Sequence, residues 1–316
     1  MRIISFEAIK NLNIPITDCL SWVNDALKLK YKVELPKKTS IKLNNGTMFF
    51  NSMPCYIPEI NRFAIKQVSR YPDRHPAISG ELLLYDSTTG DLLAIMDADW
   101  ITAIRTGAVA TSAINLFKSQ SSKTYAFMGL GITARATILC LLESNPNENF
   151  LVKLLKYKDQ ADSFIERFKD YENVKFEIVN SEEELITNTD VIVSCVTVAE
   201  KIIGNDAWFK EGVLVVPVHT RGFQNCDLFF DKVFADDEDH VKEFKHFNKF
   251  KSFNETSRVL LEQSEGRTSD KERILSYNIG LALHDTYFAS KIYDLISNDT
   301  SLPTISLEKS KDKFWL

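Results

Sequence analysis

The chain has 316 residues, 44% hydrophobic and 26% charged, a length that suggests two domains and a mix able to bury a sizeable core, which excludes a disordered chain. A net charge of -5 and a pI near 5.7 describe a mildly acidic surface that repels phosphate backbones, so nucleic acid is not an expected partner. The five cysteines, Cys19, Cys55, Cys140, Cys195 and Cys226, are odd in number and form no CxxC pair, which argues against a disulfide framework or a zinc knuckle and for a reducing compartment.

Met1–Ser5 lacks the charged-then-apolar run of a signal peptide, and no apolar stretch approaches the roughly 20 residues that span a bilayer. The expected location is therefore the cytoplasm, with no membrane partner.

Leu20, Val23 and Leu27 at helical spacing predict an amphipathic helix over Ile16–Tyr31, with Thr17 as a candidate N-cap. From Thr39 to Asp97 the pattern changes to short runs of β-formers, Thr47–Phe50, Phe63–Val68, Leu82–Tyr85 and Leu92–Met96. Turn signals at Asn44–Gly46, Pro72–Asp73 and Thr89–Gly90 separate them, which suggests a mostly antiparallel sheet. A helix follows from Asp99 to about Phe117, capped by Asp99 or Thr102.

The polar bridge Lys118–Lys123 reads as a domain boundary. Beyond it, strands at Thr124–Met128, Phe150–Lys156 and Lys175–Val179 alternate with helices at Thr133–Leu142, Gln160–Phe168 and Glu182–Ile186. Further strands are expected at Val191–Val196, Val213–Val218 and Lys232–Ala235. This alternation points to βαβ units and a parallel sheet. The acidic run Asp236–Asp239 reads as a solvated loop or helix N-terminus, and His240 and His246 lack the spacing of a HExxH pair, so no metal is expected.

Gly129-Leu130-Gly131-Ile132-Thr133-Ala134 follows a predicted strand and opens a predicted helix, giving GxGxxA. In the dinucleotide fingerprint the first glycine permits a tight turn, the second lets a pyrophosphate approach, and the small third residue lets helix and strand pack closely. The helix N-terminus then offers free N–H groups to phosphate. All six residues are candidate cofactor contacts. At the end of the second strand an NAD enzyme usually offers an acidic residue to the ribose, whereas here Lys156 and Lys158 stand before Asp159. Either NAD or NADP fits the fingerprint; the lysines favour NADP slightly, although solvated surface lysines read the same way.

Phe63–Ser69, Gly80–Asp86, Thr89-Gly90, Thr102–Ala108 with its Arg-Thr-Gly-Ala core, and Ile279–Asp285 follow one another in the chain. In that order they resemble the ornithine cyclodeaminase and mu-crystallin family over nearly the whole chain. The resemblance implies an α/β fold: a Rossmann-type NAD(P)-binding domain over 119–276, and a smaller α+β substrate-binding and dimerisation domain over 1–118 completed by 277–316. It also implies a homodimer and an amino-acid or imino-acid substrate, acted on at the α-carbon by hydride transfer through an imine. Cyclodeaminase, imine reductase and amino-acid dehydrogenase chemistries are all open, as is true ornithine cyclodeamination or a mu-crystallin-like NADPH-binding role without catalysis.

An amino acid's carboxylate calls for a guanidinium fork, and Arg105 is the best candidate. Lys66, in an otherwise apolar strand, matches the family's substrate-contacting lysine; it would bind carboxylate or, if desolvated, transfer protons. The resemblance also assigns Thr106 to the cofactor and Lys38 to the position of the family's first arginine clamp. Where cyclodeaminases carry an aspartate beyond the strand ending Val215–Val218, this chain has His219. That histidine is a candidate catalytic group, or else an ordinary loop-bonded one, and it puts ornithine specificity in doubt. Arg221 and Asp227 are further candidates in the same loop.

Overall fold

Residues 1–196, 203–218, 228–307 and 310–314 are described by the structure, a computed structural model. His219, Arg221, Cys226 and Asp227 lie outside the described residues. Two units separate by their contacts, one comprising Met1–Asn13, Lys32–Ile101 and Asp285–Leu316, the other Ile14–Tyr31 and Thr102–His284.

The first unit holds β1 (Arg2–Ile4), α1 (Phe6–Lys10), β2 (Thr39–Leu43), β3 (Met48–Ile57), β4 (Arg62–Arg70), β5 (Ile78–Asp86) and β6 (Leu92–Asp97). Among the described residues these strands form one sheet in the order β1-β6-β5-β4-β3-β2. Only β1 runs parallel to its neighbour; the other pairs are antiparallel. The β2–β3 turn places Asn44, Asn45 and Gly46 at positive φ, a conformation that asparagine and glycine tolerate best. In β4 the inward positions read Ala64, Lys66, Val68, all buried. Period two thus puts a lysine where the pattern calls for an apolar side chain.

The second unit contains α2 (Ile16–Leu29) and α3 (Asp99–Phe117), the latter divided between the units after Ile101. β7 (Thr124–Met128), α4 (Ile132–Ser144), β8 (Phe150–Leu155), α5 (Gln160–Arg167), β9 (Val174–Val179), α6 (Glu182–Ile186) and β10 (Val191–Ser194) follow. Then come β11 (Leu214–Pro217), β12 (Lys232–Ala235), α7 (Glu238–Val241), β13 (Phe253–Glu255), α8 (Thr256–Leu260), β14 (Ile274–Tyr277) and α9 (Ala282–Leu295), whose residues from Asp285 onward belong to the first unit. The eight strands are parallel, in the order β13-β12-β14-β11-β10-β7-β8-β9. Every residue of β10, β11 and β14 is buried, as expected of strands covered on both faces. Tyr125, Phe127, Val191, Val193, Leu214 and Val216 pack on one side of this sheet. Ala126, Met128, Ile192 and Val215 pack on the other. The strand order reverses between β7 and β10, whose ends Met128 and Ser194 are in register, and the crevice beyond such a switch point is where open α/β sheets bind ligands.

Two cap expectations are corrected. The N-cap of α2 is Pro15 rather than Thr17, and it makes no side-chain bond; the fixed φ of proline starts the helix instead. At α3 it is Asp97 whose Oδ1 accepts the Asp99 N–H (2.9 Å), while Asp99 Oδ1 accepts from Gly80 N (3.1 Å). The acidic run is not uniformly solvated either: Asp237 is the N-cap of α7, but Asp236 is buried.

Gly107 sits inside α3 where that helix crosses α4. A Cβ there would run into the Ala136 carbonyl and lie 2.8 Å from Thr137 N. One turn on, Thr111 Oγ1 donates to Thr137 O (3.2 Å). Alanine normally improves on glycine in a helix by about 1 kcal/mol. Here we expect Gly107→Ala instead to lower stability by about 1–3 kcal/mol, because backbone atoms must move apart. The urea midpoint checks this, and an unchanged or raised midpoint would refute the close approach.

Candidate active site

At the switch point, β7 ends in Met128 and the turn begins with Gly129 at φ 76°. A Cβ on Gly129 would lie 2.6 Å from the Cys195 carbonyl carbon and 2.7 Å from Val196 N, so this glycine serves the protein's own packing beside β10. Gly131 differs. It is the N-cap of α4, is exposed, and has no atom of the described residues within 4 Å of where its Cβ would stand. Among the described residues the space outside it is open, and the first-turn amides of α4 have no carbonyl partners within their own helix. Such an end suits a pyrophosphate. Leu130 and Ala134 are buried in the core, so Leu130 offers a ligand only its backbone; Ile132 is exposed and Thr133 half-buried.

Arg105 lies one and a half turns into α3, two residues before Gly107, and is only 6% exposed. Beside its guanidinium is Gly280, at φ 90°, in the loop between β14 and α9. A Cβ on Gly280 would stand 2.7 Å from Arg105 Nη1 and 3.6 Å from Cζ and Nη2. The same loop is held by Asp236, just past β12, whose Oδ2 accepts from Ile279 N (2.8 Å) and Gly280 N (2.7 Å). Burial raises the Asp236 carboxyl above its ordinary pKa, opposed by the His240 charge, the Gly280 N–H and Lys30.

In the first unit Lys66 Nζ pairs with Asp285 Oδ1 at 2.7 Å, both residues 1% exposed. Cys55, on β3 next to this pair, is also buried, and burial pushes its thiol up to about 12, so it is inert as a nucleophile near neutrality. Asp285 was visible in the sequence only as part of a C-terminal motif; its pairing with Lys66 is long-range and left no local signal. Gly280 and Asp236 were missed for the same reason.

Lys38 is half-buried in the segment before β2. Thr106 is half-buried, its Oγ1 donating to Thr102 O at 2.6 Å within α3. Lys156 and Lys158 are exposed beyond the end of β8, Lys158 at φ 51° with its Nζ 5.3 Å from the Tyr157 ring centre. The structure thus groups the Gly129–Ala134 turn, and sets Arg105 against Gly280, all within the second unit. Lys66 is placed with Asp285 in the first.

A family model described as the ornithine cyclodeaminase/mu-crystallin family matches residues 3–300. The nodulation efficiency protein NfeD of Rhizobium meliloti is 27% identical over 323 residues, covering 96% of this chain and 98% of that protein. Ketimine reductase mu-crystallin of Macropus fuliginosus is 27% identical over 211 residues, covering 62% of this chain and 65% of that protein. Among solved structures, the Thermococcus litoralis Δ1-pyrroline-2-carboxylate reductase in complex with NADH and L-proline superimposes with a TM-score of 0.85 at 22% identity, covering 96% of this chain and all of that one.

The two glycines of the turn generate opposite expectations. Gly131→Val should leave the thermal midpoint close to the parent, within about 1 kcal/mol of cap loss, yet abolish NADH or NADPH binding by filling the open space. Gly129→Ala should instead lower the midpoint, since a side chain at positive φ meets the Cys195 peptide. Unchanged nucleotide titration with Gly131→Val would place the nucleotide elsewhere.

Proposed function

The chain belongs to the ornithine cyclodeaminase/mu-crystallin family, and from that premise we propose that it is an NAD(P)-dependent enzyme acting at the α-carbon of an amino or imino acid. Net reduction of an imine, or the reverse dehydrogenation, is placed ahead of cyclodeamination. The observation that carries the reading is the buried Arg105 guanidinium on a helix pressed, through Gly107, onto the helix that opens at the Gly131 turn. The names of the relatives, a ketimine reductase and a pyrroline-carboxylate reductase, support it.

In this reading the backbone of Gly129–Ala134 and the first turn of α4 hold the cofactor's pyrophosphate, with Thr106 as a further contact and Lys156 and Lys158 toward the adenosine ribose. A bound nicotinamide supplies or accepts the hydride. Arg105 binds the substrate carboxylate with two N–H donors of its fork, which fixes the α-carbon and excludes substrates lacking that group. Lys66, paired with Asp285 Oδ1 at 2.7 Å, offers a hydrogen bond to the reacting end of the substrate or exchanges a proton with it. Lys38 supplies a further cation for the carboxylate. His219 is kept as a candidate proton carrier, and its presence in place of an aspartate speaks against ornithine as the substrate. We further read the enzyme as a cytoplasmic homodimer.

The test is a substrate screen with two readouts. Nicotinamide absorbance changes in net redox chemistry; ammonia release without absorbance change marks cyclodeamination instead. Neither signal with any amino or imino acid, alongside tight NADPH binding, would replace the enzyme with a binding protein.

Arg105→Ala should reduce kcat/KM by about tenfold to a hundredfold, the loss of a charge-assisted contact of about 1.5–3 kcal/mol, with nucleotide affinity within a few-fold of the parent. Arg105→Lys should recover part of the loss, since the charge returns without the fork. Full turnover in Arg105→Ala would move the carboxylate clamp elsewhere.

NADPH should bind more tightly than NADH, and the double change Lys156→Ala/Lys158→Ala should remove the preference. Equilibrium titration decides it; tighter NADH binding by the native protein overturns the assignment of the lysines.

A further inference from the structure

We propose that Gly280 and Asp236 are positioning residues for Arg105: Asp236 clamps the Ile279–Gly280 peptides, and the bare Cα of Gly280 sets the direction of the guanidinium. The inference rests on the reading of Arg105 as the carboxylate clamp. It goes further in assigning work to two residues outside the nucleotide turn and the cationic side chains.

The loop from Tyr277 to Gly280 is tied down at successive residues. Asp236 N donates to Tyr277 O (3.1 Å), and Asn278 N donates to Pro217 O (2.9 Å). Asp236 Oδ2 then accepts from both Ile279 N and Gly280 N. Two adjacent N–H groups converging on one carboxylate oxygen fix the orientation of both peptides. Gly280 is thereby held at φ 90°, where any other residue is strained.

Its place against Arg105 supplies the second reason for glycine. The Cβ that every other residue carries would stand 2.7 Å from Nη1, so the guanidinium tip, the flexible partner in that encounter, would swing away. Asp236 itself is 1% exposed, and its other oxygen has no hydrogen-bond partner among the described residues. Burying a carboxyl group carries a desolvation cost, which the two N–H bonds to Oδ2 oppose. Those two bonds lock the peptide beside which the Arg105 guanidinium stands.

A one-ångström misplacement of a positioning group can cost about a hundredfold in rate, and this sets the scale of the test. The probes are L-alanine and L-proline, each compared with its carboxamide, as substrates or as competitive inhibitors. The native protein should prefer the carboxylates, and Arg105→Ala should erase that preference. Gly280→Ala should lower kcat/KM for the carboxylate by about tenfold to a hundredfold, leave the carboxamide nearly unaffected, and leave NADH or NADPH titration within a few-fold. The double variant Gly280→Ala/Arg105→Ala should be no worse than Arg105→Ala alone, since coupled residues are not additive.

Should Gly280→Ala fail to fold, Asp236→Ala frees the two N–H groups without placing an atom near the guanidinium, and it should show a smaller loss in the same carboxylate preference. If Arg105→Ala erases the preference while Gly280→Ala and Asp236→Ala retain it, or if the double variant is additive, the positioning role is overturned and the clamp stands. If the native protein or Arg105→Ala shows no change of preference between acid and amide, the clamp falls and this proposal with it.

Discussion

The contact between α3 and α4 at Gly107 is the constraint on which the second unit's site depends. A glycine in a helix interior costs about 1 kcal/mol against alanine, and here that cost is offset by backbone lying on backbone at Ala136 and Thr137. Two residues before Gly107 stands Arg105, and five residues before Ala136 stands Gly131. The guanidinium and the nucleotide turn are consequently placed by two rigid helices rather than by loops, and sites built on such elements hold their geometry better. In the Arg-Thr-Gly-Ala motif the glycine is therefore the residue that the helix contact requires, and the arginine is the one to which we assign the chemistry.

Buried charges supply the second layer of organisation. Lys66 is matched by Asp285, and Lys30 by Asp237 at 2.8 Å and by Glu255, which also accepts the Glu238 N–H. Lys30, at the C-terminal end of α2, ties that helix to Asp237 just after β12 and to Glu255 at the end of β13, in keeping with the place of Ile14–Tyr31, early in the chain, in the second unit. Buried ion pairs of this kind seldom add stability over apolar packing. Breaking one by removing a partner leaves a buried charge without its counterion, at a cost of about 3–5 kcal/mol.

The sequence made one class of feature readable and hid another. Continuous apolar runs announced β10 and β11, and the GxGxxA string marked the β7–α4 turn, because each is a local signal of period or composition. β2 was invisible, since every one of its residues is exposed and no alternation survives; β1, β13 and β14, of three or four residues, are too short to carry a period. At the site, Lys66 stood out in an otherwise apolar strand, and Arg105 through the Arg-Thr-Gly-Ala motif that carries the family resemblance. Asp236 did not, because it opens a run of acidic residues whose usual place is solvent, and only the tertiary structure separates the buried Asp236 from its neighbours. Asp285 lies at the far end of the chain from Lys66, and a partnership over that separation leaves no trace in spacing.

Four glycines show how the site is shaped by missing side chains. Gly107 admits a helix, Gly129 admits the Cys195 peptide, and Gly280 admits the Arg105 guanidinium; in each case an atom of the protein already occupies the place of the absent Cβ or its van der Waals shell. Substituting any of these three disturbs contacts within the polypeptide. Among the described residues, Gly131 alone of the four faces open space, at the N-terminus of a helix and at the switch point of a parallel sheet. Among the described residues nothing requires glycine at 131, which leaves room there for a ligand from outside, and Gly131 stands five residues before Ala136, where α4 meets α3.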